Sequence, residues 1–175
     1  MNEAPSHDLV IETQRLILRR LREGDAAFIF ELVNDPDWLR NIGDKGVRTD
    51  DDARTYIRNG PADMYARLGF GLWCVELRTS GTPIGICGLI KRDTLDDVDI
   101  GFAFLPAYRA QGYAREAAQA TLAYARDTLG LSRLVAIVSP HNRDSIRLLE
   151  KIGLRAEGAL RLSADDEVSL LAIDF

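Results

Sequence analysis

A chain of 175 residues with 46% hydrophobic and 28% charged side chains is long enough to bury one continuous core and too apolar to be disordered. No apolar run approaches the roughly 20 residues of a membrane-spanning helix, and Met1 to Asp8 lack the basic-then-apolar pattern of a secretory signal. A net charge of −5 argues against a general nucleic-acid binder. The expectation is a cytoplasmic protein with neither membrane nor nucleic acid as partner. Cys74 and Cys87 match no metal-ligand spacing and lie in strand-like apolar runs, so buried free thiols and no metal are expected.

Residues 1–12 read as a tail and 13–175 as one domain, without repeats or linkers. Leu16-Ile17-Leu18 reads as the first strand. Asp25 can cap a helix carrying Phe28, Ile29, Leu32 and Val33, which ends before Pro36. Thr49 and Asp52 form a capping-box pattern for a helix with Ala53, Tyr56 and Ile57, stopped at Gly60. The period then changes to that of strands. Leu72 to Leu77 and Ile84 to Ile90 flank the turn Ser80-Gly81-Thr82-Pro83, and Asp97 to Leu105 follows as a third strand. Next come a helix from Tyr113 to Leu129, a strand from Leu134 to Val138, a helix opened by Asn142 and stopped by Gly153, and a last strand at Val168 to Ile173. The fold class is mixed α/β (α+β): a mostly antiparallel twisted sheet with helices on both faces.

The loop Arg109-Ala110-Gln111-Gly112-Tyr113-Ala114 joins a strand to a helix. A helix N-terminus presents unpaired N–H groups and a partial positive charge, which suits a phosphate. Gly112 allows close backbone approach, and Arg109 and Arg115 add charge. An ordinary strand-to-helix turn with solvated arginines explains the same residues. A P-loop and a dinucleotide fingerprint are both excluded, the first by lack of Gly-Lys-Ser/Thr, the second by its single glycine.

This loop resembles the Arg/Gln-x-x-Gly-x-Gly/Ala signature of the GNAT N-acetyltransferase superfamily. The preceding strand Asp99 to Pro106 is similar to the strand before that signature. Asn142-Arg143-Asp144-Ser145 followed by Leu149-Glu150-Lys151-Ile152-Gly153-Leu154 resembles the family's Asn-x-x-Ser helix and its ending. Thr13 to Arg19 resembles the opening strand of the RimJ/RimL-like branch. The resemblance implies acetyl-CoA as cosubstrate. It implies pantetheine contacts from the main chain of Phe102, Ala103 and Phe104. The pyrophosphate would fall to the loop with Arg109, Gln111, Gly112, Tyr113 and Ala114, and further contacts to Asn142 and Ser145.

It also implies direct attack of a primary amine on the thioester. The amine would belong to a protein N-terminus or a small molecule. A strand N–H near Phe104 would stabilise the oxyanion. Asp99, on the strand leading to the cofactor site, is the candidate base, acting through water; a surface carboxylate is the plain alternative. His141 is a second titratable group near the site. The position where many relatives carry a tyrosine acid holds Leu149, so Ser145 is the candidate acid, or the thiolate leaves unaided. Trp38 and Trp73, with Phe70, are candidate walls of an acceptor pocket, and Asp44, Asp50 or Asp166 are candidate attractors of an amine. A homodimer is left open. The rival reading is a non-catalytic acyl-CoA-binding module.

Overall fold

A computed structural model describes residues 8–175; the reading of Met1 to His7 as free of a leader pattern lies outside the described residues. Eight strands form one sheet in the order β1-β2-β3-β4-β5-β6-β8-β7. They are β1 (Leu9–Glu12), β2 (Leu16–Arg20), β3 (Leu72–Leu77), β4 (Pro83–Ile90), β5 (Asp99–Phe104), β6 (Arg133–Val138), β7 (Arg155–Ser163) and β8 (Asp166–Asp174). Every neighbouring pair is antiparallel except β5–β6. That one parallel pair needs a crossover, and α5 (Tyr113–Asp127) supplies it.

Helices cover both faces, as the sequence predicts. On one face Ala117, Ala118, Leu122 and Ala125 of α5 pack against Trp73, Cys87, Leu89 and Phe104. Small residues every three to four positions let that helix lie close to the strands. On the other face α1 (Ala26–Val33), α2 (Pro36–Asn41) and α3 (Asp50–Ile57) bury Ile29, Leu32, Trp38, Ala53 and Ile57 against Cys74 and Ile86. Helix α6 (Arg143–Lys151) follows β6 and buries Leu149.

Three local expectations are corrected. Asp25 stands just before α1 but its side chain makes no cap bond. It turns back to take two bonds from the Arg19 guanidinium, at 2.9 and 2.8 Å, in a pair that is almost fully buried. Gly60 does not stop α3. The chain widens into a π-turn at Arg58–Ala62, which admits Pro61, and continues as α4 (Asp63–Leu68). The stop is Gly69, whose φ of 78° is the left-handed value that ends helices. Finally, Leu9–Glu12, read as tail, and Arg155–Ser163, left unassigned, are both strands. They are the two outermost strands of the sheet, and β7 is mostly exposed. Without a buried face neither carries the alternation that marks a strand in sequence.

Candidate active site

The site begins where two strands part. β5 pairs with β4 over its full length, from Ile90↔Asp99 to Gly85↔Phe104. Its other edge meets β6 only at Asp99↔Val135. Beyond Asp99 the strands diverge, which leaves that edge of residues 101–104 without a strand partner. A cleft of about 690 Å³ opens there, lined by Phe102, Ala103, Phe104, Gly112, Tyr113, Ala114, Asn142 and Ser145.

The start of α5 forms one wall of the cleft. Ala110 and Gly112 both have positive φ, 59° and 82°, left-handed turns that lead the chain sharply into α5. The first intrahelical bond runs from Glu116 N to the Gly112 carbonyl, at 3.0 Å. The amides of Tyr113, Ala114 and Arg115 therefore have no partner within the helix, and no side chain caps the terminus. Helices α2, α3 and α6, by contrast, are capped by Asp35, Thr49 and Asn142. The uncapped end of the longest helix thus faces a cleft and suits an anion.

Arg15 holds this loop from outside. Its guanidinium donates to the Gln111 carbonyl at 3.0 Å, pairs with Glu116 at 2.7 Å and lies 4.4 Å from the Tyr113 ring centre. The Arg109 charge, expected to add to a phosphate site, is already paired, and the Gln111 side chain is engaged as well. Arg109 donates to the Phe104 carbonyl at 3.0 Å, to Asp35 at 2.7 Å and to Asp37. The Gln111 amide donates to the Ala107 carbonyl at 2.9 Å. Both shape the loop and fasten it to α2, and the main chain of 111–114 is what remains for a ligand.

A second cavity, of about 280 Å³, adjoins the first on the α1–α4 side of β5. Trp38, Asn41, Ile42, Phe102, Ala103, Asn142 and Ser145 line both. The smaller cavity also contains Asp99, Arg92, Lys45 and Tyr56. Asp99 is only 1% exposed, so it is not a surface carboxylate. Burial pushes its pKa up to about 6, and Arg92, whose Nε lies 3.2 Å away, opposes that rise.

Trp38 lines this junction, 5% exposed, and its indole Nε1 is buried without a hydrogen-bond partner among the described residues. Trp73 does not. It belongs to the core under α5, edge-on to Tyr124 with ring centres 5.2 Å apart, and Phe70 joins the same core. Alternation along β3 sends Trp73 to the opposite face from the cavity. Asp44, Asp50 and Asp166 line neither cavity, and Asp44 is paired with Arg48.

His141 lines the larger cleft. Asn142 caps α6 by accepting from Ser145 N, at 3.4 Å, which leaves its amide nitrogen available. Cys74 and Cys87 are buried free thiols whose pKa burial raises to about 12. Thiols so reluctant to ionise make poor nucleophiles. Among the described residues no group of three His, Cys, Asp or Glu side chains gathers as metal ligands, and no helix is long and apolar enough to cross a membrane.

Sequence reasoning missed Asn41, Lys45, Tyr56 and Arg92. Arg92 was within reach, because the β4–β5 register that pairs Ile90 with Asp99 brings residue 92 alongside. Lys45 and Asn41 sit in a helix end and loop with no periodic signal.

Comparison with known proteins agrees with this geometry. The family model of the acetyltransferase (GNAT) domain matches residues 15–155, and the chain belongs to that family. YnaD, an uncharacterised N-acetyltransferase of Bacillus subtilis, is 33% identical over 85% of this chain and 84% of its own length. An acetyltransferase of Agrobacterium tumefaciens superposes with a TM-score of 0.82 at 26% identity, covering 100% of this chain and 99% of that one. RimL, the ribosomal L7/L12 α-N-protein acetyltransferase, shares the fold with a TM-score of 0.78 over 96% of this chain and 94% of its own, at 16% identity. That protein has also been solved in complex with coenzyme A. The protein is accordingly an acetyl-CoA-dependent acetyltransferase.

Proposed function

We propose that the chain transfers acetyl from acetyl-CoA to a primary amine by direct attack, with both substrates bound at once. The carrying observation is that two cavities meet where β5 leaves β6, with the buried carboxylate of Asp99 in the smaller one. The residues fit acetyl-CoA. An open strand edge suits its amide-bearing arm, and the uncapped α5 terminus suits its pyrophosphate. Acetyl-CoA supplies an acetyl group on a thiol leaving group, whose pKa of about 8.5 makes departure easy.

The chain's own groups do the rest. The two cavities hold the amine next to the acetyl carbon, which saves the entropy of a chance encounter. Asp99 takes the amine proton, directly or through one water. The amine nitrogen bonds to the acetyl carbon, the carbon–sulfur bond breaks, and the sulfur leaves with the electron pair. We assign the Ser145 hydroxyl to that sulfur and a main-chain N–H near Phe104 to the carbonyl oxygen. A carboxyl raised to about 6 is a better base at neutral pH than an ordinary one near 4. The acceptor is the α-amine of a protein N-terminus or of a small molecule.

Release of free thiol from acetyl-CoA, followed over a panel of amines and N-terminal peptides, tests this. Wild-type protein is expected to release thiol with part of the panel. Tight cofactor binding with no thiol from any member would point instead to a binding module.

A further inference from the structure

We infer that the acceptor carries a carboxylate beside its amine, and that Lys45 and Arg92 bind it; this rests on the acetyltransferase reading of the site. The smaller cavity holds two cationic side chains against one carboxylate. Arg92 engages Asp99 through Nε, and its two terminal nitrogens make no hydrogen bond among the described residues. Lys45 forms no ion pair among the described residues. It is exposed by area, yet crowding by the cavity wall and then the Arg92 charge pull its pKa below the ordinary lysine value. Two cationic side chains line one cavity, and the Arg92 terminal nitrogens and the Lys45 ammonium are unpaired among the described residues, which makes a site for an anion.

A carboxylate accepts from Lys45 and from the terminal nitrogens of Arg92, while the amine beside it donates to Asp99. An aminocarboxylate satisfies these three groups. A polyamine, carrying only positive charge, meets Lys45 and Arg92 with repulsion.

The test uses matched acceptors differing at the carboxylate: tyrosine, tyrosinamide and tyramine; phenylalanine, its amide and phenethylamine; ornithine and putrescine. With acetyl-CoA present, kcat/KM for thiol release is expected to be at least tenfold higher for the free acids. Lys45→Glu, on the exposed side of the cavity, is expected to raise KM for the acids tenfold or more and lower it for the amines. Equal or reversed preference in the wild type, or a preference untouched by Lys45→Glu, overturns the proposal. Thiol release from N-terminal peptides but from none of these acceptors overturns the proposal; no release from either set fails the amine-transfer reading on its own. Calorimetric titration of the same set into protein saturated with coenzyme A then decides the anion site: tighter binding of the acids supports it, and equal or absent binding overturns it.

Discussion

Burial and Arg92 pull the Asp99 carboxyl in opposite directions, and burial wins, leaving its pKa near 6. The consequence for stability has a definite sign. The folded pKa lies above the unfolded value of about 3.9, so wild-type stability falls as pH rises from about 4 to 6 and then levels. Asp99→Asn removes that cost. In chemical denaturation the variant is expected to gain on the wild type over that interval, reaching about 2–3 kcal/mol by pH 7. The same substitution is expected to lower kcat/KM by roughly 10²–10⁴-fold, with the deficit shrinking above pH 9 as the acceptor amine deprotonates unaided. A variant both more stable and slower identifies a functional carboxylate; an unaltered pH–rate profile removes Asp99 from the mechanism. In the sequence Asp99 was legible only as a carboxylate on the right strand. Its burial depends on helices α2 and α3 closing over β5, which no local pattern encodes. Trp73 was misread for the complementary reason, because an aromatic's type does not say which face of the sheet receives it.

At the level of elements, the start of α5 was the most legible part of the site. Its signature gave the loop, and its glycine gave the left-handed turn. It did not give the fate of the side chains, since Arg109 and Gln111 are engaged by groups on α2 and in the loop itself. On the proposed reading the pyrophosphate is therefore left to the main chain. Gly112→Val forces a β-branched residue to φ of 82° and sets a new Cβ 3.2 Å from the Arg15 guanidinium. It is expected to weaken acetyl-CoA binding at least tenfold by calorimetry while circular dichroism stays close to wild type; unchanged affinity would move the pyrophosphate elsewhere.

Arg19 is held by Asp25 on one side and by Glu76 on β3, at 2.9 Å, on the other. Asp25→Ala leaves a buried arginine half-paired, which costs about 3–5 kcal/mol, readable as a lowered urea midpoint with unchanged slope. Burial is the largest single influence on Asp25 and would raise its pKa, but the Arg19 hydrogen bonds, the Arg22 backbone N–H and the two arginine charges together outweigh it, so it stays below its ordinary value. This pair thus stabilises fully above about pH 4 and is lost as pH falls further. The edge strands β1 and β7 escaped sequence reasoning because they have little to bury, whereas β3, β4 and β6 were legible from their continuous apolar runs.

Across the whole molecule, function follows from one topological fact. A parallel pair set within an otherwise antiparallel sheet makes contact at a single register point and then separates. One cavity opens there on the α5 side and another on the α1–α4 side. Chain order and strand content made a mixed, mostly antiparallel sheet legible, but not which neighbouring strands run parallel. The size of the opening and the position of α2 over it depend on long-range contacts such as Ser139 Oγ to the Asn41 carbonyl, at 2.7 Å. On the proposed direct-attack mechanism both substrates occupy the junction of the two cavities before transfer. Initial rates measured while acetyl-CoA and the acceptor amine are varied together test this most directly. Double-reciprocal lines that intersect are the predicted result; parallel lines, the mark of an acetylated enzyme formed before the amine arrives, would contradict it.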